Sequence, residues 1–248
     1  MALPSSIPRF VSIAALISLA TAGAAQSTLD EFGRPSWVTT AKAQATLPTS
    51  SDLRAIQNSR ATYFNSASQA PPLDVEQVDG KADLVGGFHD SFRPKALPTD
   101  QSDAVAVAQA TAFQPYLSSD HSRVYAELQT RPLDIVADRS ETLNRDVTFV
   151  VLQEGGTLIL PNGKVVSSMP FGGANPIQLA KRYLLFLKYH PTLQAFTVVK
   201  SWDLSGDRPI ELDYDGHPYT RPGDAAPSFA DDSALISEVK QQLTVEGR

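Results

Sequence analysis

Between residues 104 and 202 apolar positions recur with a period close to two, the spacing of strands rather than helices. The densest stretch is residues 147–166, VTFVVLQEGGTLILPNGKVV, two apolar runs separated by Gly155-Gly156 with Asn162-Gly163 closing the second. Val, Thr, Phe and Ile suit a half-buried pleated surface, and Asn-Gly supplies the positive φ angles of a tight hairpin turn. Val147, Phe149 and Val151 on one face, with Val150 and Leu152 on the other, make the first run apolar on both sides. Such a strand belongs inside a barrel or sandwich, or beneath a helix. The other elements are expected to be organised around this hairpin.

The same pattern places further strands on either side. In residues 104–113 Ala alternates with Val105, Val107, Gln109, Thr111 and Phe113, giving a thin, small-residue face that another element can approach closely. Val124, Ala126, Leu128 and Thr130 form the next alternating row, and the phase flips to Leu133 and Ile135 after Pro132. A bulge or kink at that proline is expected. Residues 182–189, RYLLFLKY, set Tyr183, Leu185, Leu187 and Tyr189 against Leu184 and Phe186. A last long strand over residues 195–202 would carry Phe196, Val198 and Trp202 on one side, with a short edge at residues 210–212. Residues 75–78 and 82–85 are short strand candidates, and residues 26–49 read as a loose lead-in.

Helical spacing is confined to the two ends. Ser50-Ser51-Asp52 can cap a short helix with Leu53, Ile56, Tyr63 and Phe64 on one side, ended by Ala70-Pro71-Pro72. From Asp231-Asp232-Ser233 a second helix carries a stripe of Leu235, Ile236, Val239 and Leu243, expected to pack on the strands.

Composition changes the picture mainly at the N-terminus. Arg9 precedes the apolar run 10–20, and Ala22-Gly23-Ala24 and Gly23-Ala24-Ala25 are small-residue cleavage sites, so residues 1–25 read as a secretory signal peptide. No twin arginine precedes the run, which points to the general secretion route. The chain has no cysteine, closing both disulfides and a lipoprotein anchor, and a cysteine-free exported chain suits a bacterium. Without Arg9 there are 20 basic and 27 acidic residues, a net charge of −7, which disfavours nucleic acid and anionic lipid as partners. No other segment is long and apolar enough to span a membrane.

Catalytic patterns are scarce. His89, His121, His190 and His217 have no metal-ligand spacing and read as scattered surface residues; there is no GxSxG elbow, and SxxK at 237–240 lacks its companion motifs. Asp203, Asp207 and Asp213, with His217, form an acidic neighbourhood. Arg208 and Tyr214 occupy the positions where a calcium loop needs glycine and glutamate. No catalytic residue, cofactor or metal is assigned. The polar turn 115–123, with Leu117 and His121, is the candidate partner-binding loop, and Asp203, Asp207, Asp213 and His217 are the candidate acidic site.

Ser102-Asp103-Ala104-Val105-Ala106-Val107, Val124-Tyr125-Ala126-Glu127, Gly155-Gly156 through Gly163, and Lys181-Arg182-Tyr183-Leu184-Leu185-Phe186-Leu187 resemble the strand motifs of a widespread group of functionally uncharacterised exported bacterial proteins. The resemblance covers roughly residues 103–202. The layout is also similar, more distantly, to the OB-like barrel of the tissue inhibitors of metalloproteinases and netrin modules. Those inhibitors act through an N-terminal cysteine that this chain lacks, so protease inhibition by that route is not implied. Ala108 also replaces the glycine usual in the opening strand. The expected fold is therefore mainly β: a small OB-like closed or partly open β-barrel with N- and C-terminal helices, a β-sandwich being the alternative. The expected organisation is a signal peptide over 1–25, a lead-in with a short helix over 26–72, the barrel over 73–215, and a Pro-rich strap with an amphipathic helix over 216–248. The expected function is an exported, non-enzymatic binding or envelope-associated module whose partner is an exported protein or an envelope glycan. The alternatives are an inhibitor or chaperone-like partner of another exported protein, and a hydrolase with an unfamiliar site.

Overall fold

The structure is a computed structural model, which describes residues 40–65, 80–85, 96–169, 177–212 and 228–246. In chain order these hold β1 (Ala41–Ala43), α1 (Ser51–Tyr63), β2 (Lys81–Val85), β3 (Ala104–Leu117), β4 (Val124–Asp138), β5 (Phe149–Glu154), β6 (Gly156–Ile159), β7 (Val165–Met169), β8 (Tyr183–His190), β9 (Ala195–Asp203), β10 (Ile210–Leu212) and α2 (Asp232–Glu246). The chain is mainly β, as its period of two predicts. The strand candidate at 75–78 and the strap at 218–227 lie outside the described residues, as does the signal segment.

Six strands form one sheet in the order β10-β9-β5-β4-β3-β8, and β8 also pairs with β9. Five of them are thus joined in a ring, with β10 added on β9. The seam between β5 and β9 is short and parallel, matching only Val151 with Phe196 and Leu152 with Thr197. The other four strands form a second sheet, β1-β6-β7-β2, with parallel pairs at both edges and the antiparallel pair β6–β7 in the middle.

The hairpin reading of residues 147–166 is corrected by this topology. β5 and β6 do not pair with each other; they belong to different sheets. Gly155 (φ +106°) and Gly156 (φ +136°) make the corner between the sheets, and the Gly155 N–H donates to Val124 O at 2.8 Å. A Cβ at Gly156 would stand 3.3 Å from Pro115 Cβ and Val124 Cγ1, so the corner also needs the missing side chain. Asn162-Gly163 does close a hairpin, between β6 and β7.

The ring interior sets small against large side chains. Ala104, Ala108, Ala110 and Ala126 meet Phe113, Phe149, Tyr183, Leu185, Leu187 and Phe196 in one buried cluster. Alternation then sends Val105, Val107, Leu184 and Phe186 outward, where α2 covers them with Leu235 and Val239. Both α2 residues are fully buried, worth about 1.5–3 kcal/mol each before the entropy of ordering is subtracted. Asp231 caps this helix by accepting from the Ala234 N–H at 2.9 Å.

Bulges set the phases. β4 runs through Pro132, with register shifts against β3 that leave Leu133 and Val136 unmatched, so the phase flip is a bulge within one long strand. A further shift leaves Val199 unmatched between β8 and β9. This corrects the expected face of β9: Phe196 and Val198 point into the ring, whereas Trp202, beyond the bulge, lies outside it under α2. Part of the expected loose lead-in is ordered too, as β1 pairs in parallel with β6.

Candidate functional site

α1 is seated on the outer face of β4, and its contact face differs from the apolar stripe its sequence suggests. Leu53 and Tyr63 are 55% and 49% exposed, while Gln57, Arg60 and Phe64 are buried. The reason lies on the strand beneath. Tyr125 and Glu127 point outward from β4 and need polar partners once water is excluded. Gln57 Nε2 donates to the Tyr125 hydroxyl at 2.8 Å, and Arg60 Nη1 meets Glu127 Oε2 at 2.8 Å. The rest of the Arg60 guanidinium donates to Leu193 O at 2.8 Å and Gln194 O at 3.1 Å, in the turn between β8 and β9. Phe64 stacks on Tyr125 (4.6 Å, 7°), and Tyr116 lies near Tyr125 at 5.6 Å and 25°.

Burial pushes these phenols up, Tyr116 to about 12 and Tyr125 further, and the Glu127 charge adds to the effect. Both are therefore neutral hydroxyls at any ordinary pH. Burial also raises the Glu127 carboxyl, and Arg60 only partly offsets it.

The turn between β3 and β4 is held against the end of α1. Asp120 Oδ1 accepts from the Ser118 hydroxyl at 2.8 Å, from the Ser122 hydroxyl at 2.6 Å and from the Ser122 N–H at 3.0 Å. The Ser119 N–H donates to Ala61 O at 3.1 Å, and the Ser119 hydroxyl donates to Asn65 Oδ1 at 2.9 Å. His121 takes the left-handed conformation at the tip (φ +58°). Arg123 pairs with Glu154 at 3.1 Å at the base of the turn.

α1, this turn, the β6–β7 turn and the segment after β1 enclose a cleft of about 410 Å³. That volume falls within the roughly 300–1,000 Å³ of small-molecule sites. Gln57, Asn58 and Ala61 line it from α1; Tyr116, Tyr125 and the turn residues Leu117, Ser118, Ser119 and His121 line it from the ring. Leu160, Pro161 and Asn162 come from the second sheet, and Gln44 and Leu47 from the segment after β1. Leu117 and His121 thus meet in one cleft. The sequence reading missed Gln57, Tyr116, Tyr125 and the Arg60–Glu127 pair behind them. A usable signal was present: Tyr125 and Glu127 alternate with fully apolar neighbours, which calls for a polar covering element.

The acidic candidates are not gathered in this way. Asp203 is tied to Lys181 at 3.0 Å and accepts from the Ser205 N–H at 2.8 Å. Asp207 is exposed at the edge of a more open cleft of about 640 Å³, shared with Arg182, Asp231 and Asp232. Asp213 and His217 lie outside the described residues, as does His89. Among the described residues no three His, Asp or Glu side chains are grouped to hold a metal ion. His190 is not a free surface histidine: it is half-buried, 2.9 Å from Thr197 Oγ1 and edge-on to Tyr63. Burial, with the charge of Lys188, lowers its pKa. No helix among the described residues is long and apolar enough to cross a membrane.

No protein family matches the chain, and neither does any curated protein or solved structure.

Proposed function

We propose that the protein is an exported, non-enzymatic binding module, with its ligand seated in the cleft between α1 and the β3–β4 turn. The observation that carries this reading is how that cleft is built. Its walls come from both sheets and α1, and four of its polar side chains, Gln57, Tyr125, Ser118 and Ser119, are held by hydrogen bonds within the protein. Its serines are committed to positioning: Ser118 donates to Asp120 and Ser119 to Asn65, rather than to an imidazole that would activate them. The ring-like pairing supports a small OB-like barrel, in keeping with the resemblance to exported bacterial β proteins. The apolar run behind Arg9 and the small residues after it support export to the periplasm or beyond.

A photo-cross-linking residue at position 121, introduced in the native cell, tests the reading. A defined adduct is expected that is absent when the same residue sits at exposed position 141. It should also fade when Leu117→Asp is added. Identical adducts from both positions would overturn the proposal. A second reading, an inhibitor or chaperone-like partner of another exported protein, is favoured by the exposed Leu47 in the cleft and the exposed Leu53 and Tyr63 on α1. In that case the adduct is a single exported protein, and it persists when the cross-linker moves to position 53.

A further inference from the structure

Resting on the binding-module reading, we propose that the α1 cleft takes an uncharged glycan segment bearing an acetamido group. The lining residues contain no Asp, Glu, Lys or Arg among the described residues, in a chain that is 19% charged. Behind Gln57 and Tyr125, Arg60 is paired with Glu127, and at the turn Asp120 accepts from the Ser118 and Ser122 hydroxyls. An anionic or cationic ligand would leave water for a lining with no carboxylate, ammonium or guanidinium, His121 being its one imidazole, and such desolvation costs several kcal/mol. A phosphate, a nucleotide or a charged peptide is therefore a poor fit.

What the cleft does offer is amides and hydroxyls beside apolar carbon. Gln44, Asn58 and Asn162 can each both donate and accept, as a ring hydroxyl and an acetamido group require. Tyr116 is the most exposed of the three stacked rings, with a phenol that stays neutral. It is the natural surface for the apolar face of a sugar ring. Leu47, Ala61, Leu117 and Leu160 supply aliphatic contacts suited to an acetamido methyl. The open cleft of the Asp207 end, lined by Arg182, Asp231 and Asp232, has the opposite character.

The test is an NMR titration of the isotope-labelled mature chain with three disaccharides. They are β-1,4-linked N-acetylglucosamine, its hydroxyl counterpart cellobiose, and a glucuronate-containing disaccharide. The acetamido sugar should shift the resonances of Asn58, Leu117 and His121. Cellobiose should bind about tenfold more weakly, the loss expected for missing amide hydrogen bonds, and the charged sugar more weakly still. Asn58 is exposed on α1, so Asn58→Ala should keep the fold and weaken the acetamido sugar by a similar factor. Equal binding of the charged sugar, or shifts confined to residues outside the cleft, would overturn the ligand class. So would unshifted cleft resonances with all three sugars. If the sugars fail while the position-121 cross-link still captures a defined adduct, only the ligand class falls. If the cross-link fails as well, the binding-module reading falls with it.

Discussion

Two glycines in turns differ in what they contribute. Gly163 has a positive φ (+79°) and open space around its Cα, so Gly163→Ala meets only backbone strain, about 1 kcal/mol. Gly156 has φ +136° and two neighbours at 3.3 Å, Pro115 of β3 and Val124 of β4, the hairpin against which the corner is packed. Gly156→Ala should therefore cost more, about 2–3 kcal/mol, read as a lower midpoint in urea unfolding. Equal costs for the two variants would mean that the corner tolerates a side chain. The buried pair of Arg60 and Glu127 allows a sharper test. The folded-state pKa of Glu127 lies above its unfolded value, so folding favours the protonated form. Its contribution is fully present below the unfolded carboxylate pKa and is lost as pH rises through the folded one. Glu127→Gln, which mimics the protonated acid, should thus match or exceed the wild type near neutral pH. The difference between them should shrink as pH falls toward the ordinary carboxylate range. Arg60→Met instead strands a buried carboxylate and should cost about 3–5 kcal/mol near neutral pH. Urea unfolding of the three proteins across that range checks both signs. A Glu127→Gln variant that is the weaker protein at neutral pH, and less so in acid, would show that pairing outweighs burial.

Between elements, the two helices are held by opposite chemistry. α2 rests on apolar contact: Leu235 and Val239 insert among Val105, Val107, Leu184, Phe186 and Trp202. The Trp202 indole N–H is satisfied by Ala96 O at 3.1 Å, so this face carries little polar cost. Val239→Asp places an unpaired carboxylate in that layer, and Leu235→Ala opens a cavity worth about 2–5 kcal/mol. Both variants should lower the melting temperature, and limited proteolysis of Val239→Asp should remove α2. Unchanged values would mean that the helix does not remain on the ring in solution. α1, by contrast, is fixed by Gln57 and Arg60. That contrast marks what could be read in the chain. The α2 stripe repeats at helical spacing within one segment, so it was legible. The buried face of α1 depends on Tyr125 and Glu127, 68 and 67 residues away from their partners, and helical periodicity carries no trace of them. The phase of β9 was lost for a similar reason, since the bulge at Val199 is set by its fit to β8. That Leu117 and His121 lie close together could be read because turn chemistry is local, whereas the walls opposite them come from α1 and the β6–β7 turn.

At the scale of the whole molecule, the two sheets are unequal in what holds them. The five-strand ring encloses a large interior cluster and is covered outside by both helices. The second sheet shares a small cluster, Leu158, Leu160 and Val166 with Val124, and has Leu84 and Leu117 at its margin. Its edge strand β1 is three residues long; it ties to β3 through the Lys42 ammonium, which lies over Phe113 and donates to its carbonyl at 2.7 Å, and through Ala43 O, which accepts from Gln114 Nε2 at 3.0 Å. The chain leaves the ring for this sheet through Gly155-Gly156 and turns back at Asn162-Gly163. A unit whose described residues bury so little apolar area should open without unfolding the ring. Native-state hydrogen exchange in low urea should therefore show β6 and β7 exchanging through a sub-global opening. The central amides of β3, β4 and β8 should exchange only with global unfolding. The β5–β9 seam, with two matched pairs, should rank between them. Because Leu160, Pro161 and Asn162 form one wall of the cleft, that opening would also take the candidate site apart. Ligand binding should then slow exchange in β6 and β7 more than in the ring. If all strands exchange with one common free energy and one denaturant slope, the two sheets form a single cooperative unit and the cleft is as rigid as the ring itself.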